Sequence, residues 1–83
     1  MTDDEIRSLV LRTLSEIAPE ADPETLEGDV PIRDQLDIDS MDFLNFVIAL
    51  DAELGVSVPE TDYPKLSTID GCVDYLAVRR RAS

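Results

Sequence analysis

Apolar residues open the chain at helical spacing, with Ile6, Leu9, Val10, Leu14 and Ile17 falling on one face. Thr2 followed by Glu5 has the pattern of a capping box, so a helix is predicted from about Asp3 to Ala18. Pro19 ends it, because proline disfavours helical geometry at the residue before it and has no N–H to continue the ladder. From Pro19 to Asp39 the periodicity stops, and Pro23, Gly28 and Pro31 break the chain. This reads as a long first loop, longer than most connections in compact domains, with Leu26, Val30, Ile32 and Leu36 available to pin it down.

A second helix is predicted from Ser40 to Leu54, capped by Asp39 with Asp42 as its reciprocal partner and ended by Gly55 in the left-handed region. Val56 to Tyr63 alternates and then turns at Pro59, and Pro64 limits any third helix to little more than one turn. Ser67 or Thr68 can cap a last helix carrying Ile69, Cys72, Val73 and Leu76 on one face, with Arg79, Arg80 and Arg81 complementing its negative end. The predicted fold is all-α: a small four-helix bundle of three main helices and one short third helix, forming a single domain over residues 1–83.

The second helix is unusual in having two apolar faces. At about 100° per residue, Phe43, Phe46, Val47, Leu50 and Leu54 share roughly one third of the circumference and form the core face. Met41, Leu44 and Ile48 gather nearly opposite, with Asn45, Ala52 and Asp51 at the borders. Either the long loop folds over this second stripe, or it is a partner-docking ridge rimmed by Asp42, Asp51 and Glu53. The expectation is the ridge.

Composition narrows the function. The formal charge is −12, from 19 acidic and 7 basic residues; residues 19–39 sum to −7 and residues 55–83 to zero. Such a field repels nucleic acid and anionic membrane, and it favours partners with basic patches. One cysteine excludes an internal disulfide and a cysteine-based zinc cluster, and the lack of histidine removes the commonest metal ligand and general base. Cys72 lies on the apolar stripe of the last helix and is expected in the core. Neither a bilayer-spanning run nor a charged-then-apolar leader is present, so a cytoplasmic protein, monomeric and without a membrane span, is expected.

Ser40 stands where the acidic loop meets the start of the two-faced helix, beside backbone N–H groups that favour an attached phosphate. The run Leu36-Asp37-Ile38-Asp39-Ser40-Met41-Asp42 resembles the Asp-Ser-Leu signature of acyl carrier proteins, and the likeness of helix order, acidity and serine position extends over nearly the whole chain. The resemblance implies that Ser40 is the attachment point for 4'-phosphopantetheine, transferred from coenzyme A by a phosphopantetheinyl transferase with Mg²⁺ in the transferase's own site. The chain itself is then no enzyme and has no metal site, and it carries acyl groups as thioesters for fatty acid, polyketide or specialised lipid biosynthesis. By the same match Asp39 helps engage the transferase, and Met41, Leu44 and Ile48 fall at partner-contact positions; with Asp42, Asn45 and Asp51 beside them on the wheel, they are expected to meet acyl-loading and acyl-processing enzymes with basic docking patches. Phe46, Val47, Leu50 and Leu54 hold the acyl chain or pack the core. Asn45 and Ala52, where general fatty acid carriers are often acidic, and the bulky Phe43 point to a dedicated rather than a general carrier.

Three other readings fit less well. An aminoacyl or peptidyl carrier of a nonribosomal pathway usually has glycines before the serine, where this chain has Asp37 and Ile38. A calcium loop counted from Asp37 has Asp42 in place of the required Gly and Ile48 in place of the closing Glu. An unmodified acidic interaction domain leaves the serine motif and the second apolar stripe unexplained. Met1 and the cap at Thr2 imply a discrete carrier.

Overall fold

The computed structural model describes residues 2–82, with side chains through Arg80, so Met1 and the side chain of Arg81 lie outside the described residues. Among the described residues four α-helices and one 3-10 helix follow in order: α1 Asp3–Ile17, α2 Ile32–Gln35, α3 Ser40–Leu54, the 3-10 helix Glu60–Leu66, and α4 Ile69–Ala82. No helix among the described residues is long and apolar enough to cross a membrane.

The capping box of α1 forms as its spacing predicts. Thr2 Oγ1 accepts the Glu5 N–H at 3.2 Å, and the Thr2 N–H donates to Glu5 Oε1 at 2.9 Å, so two orphan donors are satisfied at once. Ile6, Leu9, Val10 and Leu14 are buried, and this face packs against α3 and α4. Thr13 is the one buried polar residue of α1; its hydroxyl is satisfied by the Leu9 carbonyl at 2.8 Å. The second predicted helix is α3, and its bounds agree with the periodicity. It ends at Gly55, whose φ of 66° lies in the left-handed region that costs glycine no Cβ clash.

Two features differ from the pattern reading. The long loop contains α2, a single turn with no side-chain cap at Pro31. Its support is tertiary: Ile32 is fully buried, and its N–H donates to the Ser67 carbonyl at 2.7 Å. Inside the loop, Gln35 Nε2 donates to the Glu27 and Val30 carbonyls at 2.8 and 2.9 Å, while the Glu27 N–H donates to Gln35 Oε1 at 2.7 Å. Ala21, Leu36 and Ile38 are buried as well, so the loop packs as part of the body.

The second difference is at Pro64, which lies inside a seven-residue 3-10 helix where little more than one turn was expected. The Asp62 N–H donates to the Pro59 carbonyl at 2.9 Å and the Ser67 N–H to the Pro64 carbonyl at 3.3 Å. In these short i to i+3 turns Pro64 serves as an acceptor, and its missing N–H does not stop the run. Thr68 caps α4, its Oγ1 accepting the Gly71 N–H at 2.9 Å. The start of α4 also holds the loop: the Asp70 N–H donates to the Gly28 carbonyl at 2.9 Å, and the Asp70 carboxylate takes Arg7 at 2.6 Å. A Cβ on Gly28 would lie 2.4 Å from that carboxylate, so this close approach requires glycine or a shift of Asp70.

Candidate functional site

Ser40 is exposed at the first position of α3, and its hydroxyl makes no hydrogen bond within the described residues. Its position is held from both sides. Before it, Ile38 is buried and its N–H bonds to the Leu36 carbonyl at 3.0 Å. Around it, Asp39 Oδ1 accepts the Asp42 N–H at 2.9 Å, and the Asp39 N–H donates to Asp42 Oδ2 at 3.3 Å. The box uses the donor at Asp42 and leaves the N–H groups of Ser40 and Met41 at the positive end of the helix, where an anion is favoured.

A groove of about 630 Å³ opens beside this serine. Met41, Phe43 and Leu44 of α3 line it together with Ser40, while the 3-10 helix contributes Glu60, Tyr63 and Pro64; Pro31 and Arg33 come from the loop. Three of the chain's four aromatic residues meet here. Phe43 lies 6.0 Å from the Phe46 ring and 6.3 Å, nearly edge-on, from Tyr63, at separations typical of favourable aromatic pairs. Phe46 is fully buried, while Phe43 and Tyr63 are half-buried, so the aromatic line runs from the groove into the core.

The second stripe of α3 is not covered by the loop: Met41 is 64% exposed and Ile48 53%. Asn45 and Ala52 are exposed beside them, and Leu44 is half-buried at the groove. Phe46, Val47, Leu50 and Leu54 lie in the core. Asp42 is engaged in the cap, and Asp51 faces the far end of α3, where its Oδ2 accepts the Val58 N–H at 3.4 Å. Its other oxygen is buried without a partner, and desolvation pushes the carboxyl above its ordinary range against the opposing pull of that hydrogen bond and of Arg79. The Glu53 carboxylate is 3.9 Å from Arg12.

Cys72 is fully buried, and burial pushes its thiol up to about 12, so it is a core residue and no accessible thiol. Among the described residues no group of three or more His, Cys, Asp or Glu is placed to hold a metal ion. Arg33 and Tyr63 reach the site without having been singled out for it in the sequence. Arg33 had a signal, being the lone cation of the acidic loop, whereas Tyr63 is brought in by the packing of the 3-10 helix on α4.

The family described as phosphopantetheine attachment site matches residues 4–76. The chain is 32% identical over 76 residues to an acyl carrier protein of Lactobacillus johnsonii, covering 92% of this chain and 94% of that protein. It is 33% identical over 73 residues to one from Campylobacter curvus, covering 88% of each. Among solved structures it is similar to an acyl carrier protein from Enterococcus faecalis, with a TM-score of 0.81 at 26% identity, over 95% of this chain and 99% of that one.

Proposed function

Because this chain belongs to the family of acyl carrier proteins, which are carriers and not enzymes and bear a phosphopantetheine arm, we propose that Ser40 Oγ is where the arm is attached. The observation that carries this reading is the exposed serine with an uncommitted hydroxyl, at a helix start and on the rim of an apolar groove. In the attachment, Ser40 Oγ gives its proton to a base of the transferase and bonds to the pantetheine-side phosphorus of coenzyme A, while the pyrophosphate P–O bond breaks and adenosine 3',5'-bisphosphate leaves. When bound, the arm supplies a thiol that holds an acyl group as a thioester. The residues fit such a group: the helix N-terminus favours the phosphodiester, and the groove offers apolar cover beside it.

Members of this family work with phosphopantetheinyl transferases and acyl-processing enzymes. In this chain Asp39 engages the transferase while capping α3, and Met41, Leu44, Asn45 and Ile48 form the face that enters a shallow apolar groove on each partner. The net charge of −12 steers basic partner surfaces toward it. The uncharged Asn45 and Ala52 on this face support a dedicated carrier, acting as a monomer and as one domain over residues 1–83, and Asp37 and Ile38 before the serine support acyl over aminoacyl cargo.

Intact mass after incubation with coenzyme A, Mg²⁺ and a broad-specificity transferase tests the attachment. One phosphopantetheine increment on the wild type and none on Ser40→Ala is expected; an increment that persists in Ser40→Ala overturns the assignment.

A further inference from the structure

Arg33 is the only basic residue between Arg12 and Lys65, and it stands in the stretch whose charge sums to −7. Acidic side chains surround it in sequence, yet it pairs with none. Arg7 is bonded to Asp70, Arg12 lies near Glu53, and Lys65 near Asp62, while Arg79 donates to the Ser57 carbonyl and stacks over Tyr75. Among the described side chains Arg33 is the one cation left without a partner.

Its backbone is nonetheless firmly placed. Ile32 beside it is fully buried and bonded to Ser67, and Gln35 two residues on ties α2 to Glu27 and Val30. An exposed side chain on a fixed turn points a charge at one region, and Arg33 lines the same groove as Ser40. A guanidinium matches phosphate oxygens with two parallel N–H donors, and it relieves the cost of placing a further negative charge in an already acidic field.

We propose that Arg33 is a positioning residue for the carrier's arm: its guanidinium pairs with the phosphodiester on Ser40 and biases the resting arm into the groove floored by Phe43 and Tyr63. This rests on Ser40 as the attachment point.

The test uses the full chain loaded with one arm, its position on Ser40 established by peptide mass, and a fluorophore joined to the arm's thiol. Cys72 is fully buried, and unloaded protein serves as the control for its labelling. Fluorescence anisotropy and the ³¹P shift of the phosphodiester are read in wild type, Arg33→Lys and Arg33→Ala. Arg33→Ala is expected to lower the ratio of grooved to free arm by about 1.5- to fivefold, the range for an exposed charged pair, with Arg33→Lys between. Raised ionic strength is expected to close the gap between wild type and Arg33→Ala. An arm on Ser40 whose anisotropy and ³¹P shift are the same in wild type and Arg33→Ala overturns the pairing alone. An arm on another residue overturns the attachment and the pairing together.

Discussion

Helices α1 and α3 are each fifteen residues long and begin with the same reciprocal capping box, yet they spend their apolar side chains differently. The residues α1 buries lie on one face, and its exposed positions are polar. α3 buries Phe46, Val47, Leu50 and Leu54 and still leaves Met41 and Ile48 in water. Burial contributes about 25 cal/mol per Å² of apolar surface, so those two side chains forgo stabilisation that their own chain could have supplied. One apolar face is what a helix needs to join a core; the second face of α3 is accounted for by partners, as proposed above.

The largest effect that tests this comparison is in the shared core. Leu14→Ala in α1 should cost about 2–5 kcal/mol and Phe46→Ala in α3 about 3–5 kcal/mol, read from urea unfolding. A loss below about 1 kcal/mol at either site would mean that its helix does not hold the core. The caps come next. Thr2→Ala and Asp39→Ala should each lower stability by about 1 kcal/mol, because each removes a side-chain acceptor from an N-terminal N–H. Only Asp39→Ala should also slow transfer of the arm from coenzyme A; equal rates in the two variants would reduce Asp39 to a cap.

Surface substitutions sharpen the difference further. Ser8→Glu on the exposed side of α1 and Ile48→Glu on the exposed side of α3 should both stay within about 0.5 kcal/mol of wild type. Ile48→Glu alone should weaken acyl transfer to partner enzymes. A destabilised Ile48→Glu with normal transfer would make the second face structural.

The smallest effect is at the closed end of α3. Burial raises the Asp51 carboxyl above its ordinary value, so the folded chain holds that proton more tightly than the unfolded one. As pH rises from the unfolded carboxyl's value, about 4, through the raised folded value, this group removes stability. Asp51→Asn lacks the titration, and its stability relative to wild type should therefore improve over that window. A difference that stays flat with pH would show that the desolvation of Asp51 is offset by the Val58 N–H and Arg79.

Much of the framework was legible because it is local. Both capping boxes join residues three apart, and Gly55 ends α3 by a property of its own backbone. The turn at Ile32–Gln35 was not legible, since four residues carry no periodicity and its hydrogen bonds run to Ser67, Glu27 and Val30. Pro64 misled for a related reason. Its missing N–H argues against an α-helix, but a run of 3-10 turns needs only its carbonyl. Asp51 stood at the border of the second stripe on a helical wheel, and the chain from Gly55 to Val58 folded back to occupy its carboxylate.

By itself the sequence determined where α1 and α3 begin and end, that Ser40 heads the second of them, and that Met41, Leu44 and Ile48 lie opposite the core face. Those features depend on hydrogen bonds and side-chain spacing within a turn or two of helix. The tertiary structure alone decided that Arg33 and Tyr63 line one groove with Ser40, and between the two readings of the second stripe it decided for the open one. These outcomes depend on which distant segments share the core. Apolar burial is strong but non-directional, so that choice is made by the whole chain at once.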